Sequence, residues 1–561
     1  MQNQIYPYFI LGKCMPVVNF DYQDYIKLLG ETISKEDLIK RLPMIGADFD
    51  KMEDDEISIE FFPNRPDLSS VEGIVRASRA FFDIKPGLTK YPVEESDIVM
   101  NVDPSVKEVR PFVRCALVKN VEMTDELITS LMQLQEKLHF GIGRNRKKVA
   151  IGVHNAEPVK PPFTYKAVDP DAYQFVPLAK VESMTLSEIL SSHDKGIAYA
   201  SLLEDADKYP LIVDANDNVL SFPPIINGIL TEVTPFTTDL FIDVTGSDEQ
   251  AIHHALAIVV TALAERGGTV YSTKIVDGDQ TIISPNLHEE KRNLSINRVN
   301  AVLGLDLSDE EIISYLAKMG YDAAKKDDQT LMVSIPSWRA DIIHEIDLIE
   351  DVAVGYGYDN IDYEIPSSFS FGQPLTHKET AQNVRMSLIG LGFNEVTTFT
   401  LSNERDEFEK LGLEETDHVQ IQNPIGEDYT CLRVGLLPSL LHMLADNKHH
   451  SLPQQIFELG IVSNEEYKNQ YHLGGLKSSA HANFTECKSI VEAIFRDLGI
   501  KYDIQEFDHP AFINGRCAQV RSDEKFLGFF GELHPRTITN FSLEHPVIAF
   551  EFEANTMLKK D

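Results

Sequence analysis

The chain has 561 residues, 43% hydrophobic, 25% charged and 9% aromatic, which is too long for one hydrophobic core and too apolar for extended disorder, so about three to five folded units are expected. Its 88 acidic against 51 basic side chains leave a formal charge of -37. That balance argues against sequence-blind attraction to nucleic acid or anionic membrane, and any RNA contact has to be local.

The opening run Ile5-Tyr-Pro-Tyr-Phe-Ile-Leu11 is apolar but short, is broken by Pro7 and has no basic residues before it, so it supports neither a signal peptide nor a membrane span. Met15 is a possible second start, with the first fourteen residues as an optional extension. Pro16-Val-Val-Asn-Phe20 reads as a strand. Ser34-Lys-Glu-Asp37 ahead of Leu38, Ile39 and Leu42 reads as a capped amphipathic helix. A second box, Ser69-Ser-Val-Glu72, opens a helix through Phe82 whose apolar positions Val71, Ile74, Val75 and Phe82 pack on the strand Glu56-Ile-Ser-Ile-Glu-Phe-Phe62.

From Arg110 to Gly246 the pattern turns to β-rich runs, Phe112–Val118, Val149–Val153 and Leu240–Val244, separated by Pro-rich loops. An alanine-rich helical stretch covers Asp248 to Gly267, and Val270 to Ser284 reads as a strand pair. Ser308-Asp-Glu-Glu311 is a capping box in front of Ile312, Ile313, Leu316 and Met319. Its helix resembles the Ser34 helix, since both end in a Met and a Gly (Met44, Gly46; Met319, Gly320); a repeated small module and generic helix chemistry both account for this. Beyond residue 370, strands at Val396–Leu401, Gln455–Leu459, Phe526–Phe530 and Val547–Phe552 alternate with helices of irregular length, which points to an antiparallel α+β sheet rather than a doubly wound one. No Gly-x-x-x-x-Gly-Lys-Ser/Thr loop and no strand-associated Gly-x-Gly-x-x-Gly occurs. The five cysteines, Cys14, Cys115, Cys431, Cys487 and Cys517, are scattered, with no Cys-x-x-Cys zinc pair and no disulfide framework, and they fit a reducing cytosol.

Three segments together resemble the phenylalanyl-tRNA synthetase beta subunit of the archaeal/eukaryotic type: Glu60-Phe-Phe-Pro-Asn-Arg-Pro-Asp-Leu-Ser-Ser-Val-Glu-Gly73; Pro336-Ser-Trp-Arg-Ala-Asp341 through Asp351-Val-Ala-Val-Gly-Tyr-Gly-Tyr358; and Asn423-Pro424 followed by Leu432-Arg433 and Leu436-Leu-Pro-Ser-Leu440. The resemblance implies an α+β multidomain chain. Its parts would be a small α/β N-terminal module (1–95), an α+β editing domain (105–270), a helix-wing module with an acidic helix (286–362) and a class II synthetase-like antiparallel core with helices (370–561). Neither the bacterial OB insertion nor the appended anticodon module fits within this length. The class II Phe-Arg-x-Glu signature is also absent from the C-terminal region. Arg433 and Arg516 are the nearest candidates for ATP-handling arginines, and their surroundings read more simply as structural.

The family further implies a cytoplasmic ligase that uses ATP as substrate of the assembled enzyme, adenylation on a separate alpha subunit, an assembly of two alpha plus two beta chains, tRNA-Phe as partner and no membrane. A free-standing tRNA-binding or trans-editing protein is the alternative from another class, and a class II-like C-terminal half used for docking separates the two.

In Arg339-Ala-Asp341-Ile-Ile-His-Glu-Ile-Asp347-Leu-Ile-Glu350-Asp351 the acids at 347, 350 and 351 share one helix face. A solvated acidic face and a Mg²⁺ site both satisfy that spacing; by resemblance, Asp341, Asp347, Glu350 and Asp351 would bind Mg²⁺ at the junction with the alpha subunit. A phenylalanine pocket rejects tyrosine by only about a hundredfold, so a second, hydrolytic site is needed. By resemblance to archaeal members, Leu211 would be its wall, and Ser221, Asn227, Asp243 and Thr245 would supply polar contacts to the tyrosyl group and a water. Alternatively, Asp243 caps a turn and Thr245 ends a strand. No Ser-His-Asp or Cys-His grouping is evident. His154 reads as a surface histidine, with an acid/base role as the alternative. A basic cluster, Lys137, Arg144, Arg146, Lys147 and Lys148, is either a guide for the tRNA acceptor end or a solvated loop.

Overall fold

A computed structural model describes residues 17–363, 365, 367–522 and 524–558; the apolar opening, Cys14, Met15 and Pro16 lie outside them. The chain divides into two units, residues 1–364 and 365–561. Among the described residues no helix is long and apolar enough to cross a membrane.

The first unit begins with strand Val17–Asp21, helices Tyr22–Leu29 and Lys35–Arg41, strands Ala47–Glu53 and Glu56–Phe61, and helix Val71–Phe81. Its three strands pair antiparallel with Glu56–Phe61 in the middle. Ser34 Oγ accepts the Asp37 amide at 3.1 Å, a normal N-cap. The second cap sits one residue later than the sequence pattern predicts: Ser70 accepts the Gly73 amide at 3.4 Å. Glu72 does not close a box because its carboxylate accepts from Arg266 at 2.7 Å and from Ser130 at 2.8 Å. Gly73 itself is fixed by packing, since a β-carbon there would stand 1.8 Å from the Asp67 carbonyl oxygen. Gly73→Ala is therefore expected to lower the stability of this unit by about 1–3 kcal/mol, read as a lower urea midpoint at unchanged slope.

The same order of elements recurs at the far end of the unit. Strand Glu290–Ser295 is followed by helices Ile296–Leu303 and Asp309–Lys318, strands Asp322–Asp327 and Thr330–Ile335, and helix Glu345–Tyr356, again with the last strand in the middle of the sheet. Ser308 and Glu311 close a complete capping box. In each copy an Arg-x-Asp fork follows the middle strand. Arg65 Nε and Nη2 donate to Asp67 at 2.8 and 2.9 Å, and Arg339 Nε and Nη2 donate to Asp341 at 2.8 and 2.6 Å. Both arginines are buried. The forks are electrostatic neighbours: Arg65 interacts with Arg339 and Asp341, and Asp67 with Arg339.

Between the two copies lies a sandwich of a five-stranded sheet, in the order 93–94, 269–271, 112–119, 240–246, 149–155, and a seven-stranded sheet, in the order 226–227, 219–222, 209–213, 163–168, 99–102, 273–277, 280–284. Cys115 and Phe241 from the first meet Met100, Tyr165, Ile212, Leu220 and Ile275 from the second in one core. Helices Asp125–Phe140 and Glu249–Glu265 cover the other face of the five-stranded sheet, where Leu131, Leu134, Ile252, Leu256 and Leu263 pack on Ile242 and Val244. The stretch expected as one strand pair belongs to both sheets: Thr269–Tyr271 joins the five-stranded sheet, and after Ser272 the hairpin Thr273–Asp277 and Gln280–Ser284 joins the other.

The second unit is a seven-stranded sheet in the order 394–395, 454–463, 469–478, 547–553, 525–533, 512–522, 503–506. All its pairs are antiparallel except the first. Helices Thr376–Gly390 and Phe484–Asp497 contribute to the core on one face, and Leu437–Asp446 and Pro535–Asn540 to the core on the other. The strand expected over 396–401 is not formed; only Asn394–Glu395 and Leu401–Ser402 are extended in pairs. The intervening backbone is diverted by a side chain, with the Thr398 amide and hydroxyl both donating to Glu458, at 3.3 and 2.6 Å.

Candidate functional site

The strand Leu240–Gly246 alternates strictly. Leu240, Ile242 and Val244 enter the helix-covered core, which turns Phe241, Asp243 and Thr245 towards the facing sheet. Asp243 stands between Cys115 and Gly152 on the neighbouring strands. His154 Nε2 donates to its carboxylate at 2.7 Å, and His154 Nδ1 meets the Thr231 hydroxyl at 2.7 Å. Asp243, His154 and Thr231 are 2%, 0% and 1% exposed, so His154 is an interior residue and the expectation of a surface histidine is overturned. The pair needs the missing side chain of Gly152, because a β-carbon there would lie 2.2 Å from Asp243 Oδ2 and 2.6 Å from His154 Nε2. Burial, with the Asp243 charge second, holds the Cys115 thiol well above its usual range.

Thr245 is tied to a buried arginine: Arg110 Nε donates to its hydroxyl at 3.0 Å and Arg110 Nη2 to its carbonyl at 2.8 Å. Burial brings Arg110 down to about 10. Ser221 and Asn227 face each other across adjacent strands. The Asn227 amide donates to the Val153 carbonyl at 3.4 Å, next to His154, while Ser221 Oγ is buried with no hydrogen-bond partner, the kind of orphan a bound polar group satisfies. Leu211 stands apart. It packs with Phe175, Val213 and Phe222, whereas its neighbour Ile212 belongs to the core between the sheets, because successive residues of a strand face opposite ways.

The acidic residues near the helix Glu345–Tyr356 have separate tasks. Asp351 accepts from Arg339 Nη2 at 2.7 Å and from the Tyr321 hydroxyl. Asp341 is forked by the same guanidinium, and Asp347 accepts the Ile343 and His344 amides at 2.8 and 2.6 Å, capping the helix. Glu350 is exposed. Among the described residues, the only cluster of three His, Cys, Asp or Glu ligand atoms within 4.8 Å of one another lies elsewhere. The buried guanidinium of Arg339 already supplies a cation between Asp341 and Asp351, so those two carboxylates are balanced without a metal ion.

Known proteins match this chain over most of its length. Residues 292–358 match the tRNA synthetase B5 domain, and residues 361–554 match the phenylalanyl tRNA synthetase beta chain CLM domain. The phenylalanine--tRNA ligase beta subunit of Methanosarcina acetivorans is 46% identical over 97% of this chain and all of its own length, and that of Methanocaldococcus jannaschii is 42% identical over 96% of this chain and all of its own. The chain belongs to the phenylalanine–tRNA ligase beta-subunit family. A crystal structure of an N-terminal fragment of the phenylalanyl-tRNA synthetase beta-subunit from Pyrococcus horikoshii superposes with a TM-score of 0.59 at 36% identity, covering 61% of this chain and 99% of the fragment.

Within this family member the two arginines weighed for ATP binding differ. Arg433 is 2% exposed, and its guanidinium donates to the Ile461 carbonyl at 2.9 Å, to Thr398 Oγ1 at 2.7 Å and to Glu458 at 2.8 Å. Arg516 is half exposed and pairs with Glu532 at 2.8 Å. The basic cluster is likewise divided. Arg146 is buried, donates to the Pro224 and Ile225 carbonyls at 3.2 and 2.9 Å and to Glu136 at 2.9 Å, and lies over the Tyr199 ring. Lys137 is brought down to about 8 by burial, and Lys148 pairs with Asp248 at 2.8 Å. Arg144 and Lys147 are exposed. Arg144, Asn145 and Arg146 all have positive φ, 46°, 53° and 67°, a strained loop held by these buried contacts. Sequence reasoning missed Thr231, Arg110 and Glu136 and set His154 on the surface; their partners lie from 10 to 135 residues away.

Proposed function

We propose that this chain is the non-adenylating partner in phenylalanine–tRNA ligase, with ATP and phenylalanine handled on a separate alpha subunit and the assembly containing two alpha and two beta chains acting on tRNA-Phe. The observation that carries the division of labour is Arg433. Its guanidinium is buried and turned onto Glu458, Thr398 and the Ile461 and Phe399 carbonyls, so it is not presented to a phosphate, and on this reading the class II-like core serves docking. The sandwich of the first unit is the place of tyrosyl-tRNA hydrolysis. Asp243 and Thr245 supply polar contacts between the sheets, Ser221 and Asn227 lie on adjacent strands nearby, and Arg144 and Lys147 are the cations open to phosphate. Asp341, Asp347 and Asp351 have partners within the chain, Glu350 is open to solvent, and no step is drawn through Mg²⁺.

The chain purified without its partner is expected to show no phenylalanine-dependent pyrophosphate exchange, and to recover it on addition of the alpha subunit. Exchange by the lone chain, or native copurification from the host with no second subunit, overturns the assignment.

A further inference from the structure

The cluster of three potential ligand atoms within 4.8 Å of one another lies in the second unit: Glu404, His418 and Cys431. These residues come from three segments held together by backbone hydrogen bonds. The Thr430 amide donates to the Ser402 carbonyl at 2.8 Å, the Ile421 amide to the Thr430 carbonyl at 2.8 Å, and the Leu432 amide to the Val419 carbonyl at 2.9 Å. Cys431 bridges both Ser402 and Gln420 in the pairing. Cys431 thus sits in paired backbone, with His418 next to the Val419 carbonyl that anchors its segment.

The histidine fixes the direction of the site. His418 Nδ1 is 2.8 Å from the Thr416 carbonyl oxygen, which only accepts, so Nδ1 carries a proton. Nε2 then points to Glu404 Oε1 at 3.4 Å and Glu415 Oε1 at 4.0 Å, with the Gln420 amide at 3.5 Å. A lone pair on Nε2 facing carboxylate oxygens is repulsive unless a proton or a metal ion lies between them. A backbone carbonyl on one ring nitrogen with the other aimed at anionic donors is the usual second-shell arrangement of a metal-bound histidine. Around a tetrahedral Zn²⁺, ligand atoms are about 3.3–3.8 Å apart, and the Glu404–His418 separation falls in that range. The other Glu404 oxygen is held by the Thr430 hydroxyl.

We propose that Glu404, His418 and Cys431 form a site for a thiophilic divalent cation, Zn²⁺ in particular. A buried sulfur beside an imidazole and a carboxylate selects this class over Mg²⁺ or Ca²⁺. Glu415, 58% exposed in its side chain, or water completes the fourth position. Binding exchanges the Cys431 thiol proton for the metal and releases it to solvent. Burial, followed by the charges of Glu404, Glu407, Glu415 and Asp406, keeps that thiol near 12 in the metal-free protein.

The test is competition for Zn²⁺ between the reduced full-length chain, with whatever subunit copurifies, and a chromophoric chelator, paired with Co²⁺ substitution. One equivalent is expected, with a thiolate-to-cobalt charge-transfer band. Cys431→Ser and His418→Gln should each weaken binding at least about tenfold, while Cys517→Ser leaves it unchanged. Glu404→Gln, which preserves shape and the Thr430 contact, is expected to weaken binding without altering the circular dichroism, so a loss of fold in the cysteine variant does not obscure the result. Equal Zn²⁺ uptake by wild type and Cys431→Ser, or a Co²⁺ spectrum without a sulfur band, overturns the proposal and leaves His418 as an imidazolium paired with Glu404.

Discussion

Asp243→Ala is expected to destabilise the first unit by about 3 kcal/mol, because it leaves His154 buried between the sheets with its Nε2 proton unpaired. Activity measurements on that variant alone would confound folding with chemistry. Asp243→Asn keeps an oxygen 2.7 Å from Nε2 and loses only the charge, so it is expected to unfold within about 1 kcal/mol of wild type. If the carboxylate works on the ester or its attacking water, Asp243→Asn in the assembled ligase slows hydrolysis of tyrosyl-tRNA by at least about tenfold and leaves phenylalanine charging unchanged. Thermal unfolding and both rates measured on one preparation separate the cases. Intact hydrolysis in the asparagine variant would make Asp243 a purely structural partner of His154.

Arg339→Met is expected to cost the first unit about 3–5 kcal/mol. The guanidinium is buried among Asp341, Asp351 and the Tyr321 ring, whose centroid is 5.0 Å away, and removing it leaves two carboxylates without a counter-charge. Asp351→Asn added to Arg339→Met should recover about 1–2 kcal/mol of that loss. Because the same carboxylates are then free, millimolar Mg²⁺ is expected to raise the melting temperature of Arg339→Met more than that of wild type. Equal melting temperatures for wild type and Arg339→Met would show that the fork contributes nothing.

What was legible in the sequence followed local rules. The caps at Ser34 and Ser308 and the β-rich run Leu240–Val244 are set by residues within a few positions of each other, and the structure carries all three. The Ser69 box went wrong because its acid answers to Arg266, almost two hundred residues on. The strand over 396–401 failed for a similar reason, with Glu458 taking its backbone and side-chain donors. Asp243 and Thr245 were singled out by family resemblance rather than by local pattern; Leu211 was not assignable to a face, since strand alternation decides that only once the sheet is built. The glutamate–histidine–cysteine cluster was invisible because its members are thirteen and fourteen residues apart, a spacing with no local signature.

The two Arg-x-Asp forks belong to the two copies of one small module and feel each other's charge. The sandwich is an insertion between these copies, entered after residue 85 and left before residue 290, and it is tied back to the first copy where Arg79 meets Glu265 at 2.5 Å and Arg266 forks Asp24 at 2.6 and 2.7 Å. A domain tethered at both ends in this way does not swing on a single hinge. If the sandwich is the editing domain, the tRNA acceptor end has to come to it rather than the reverse.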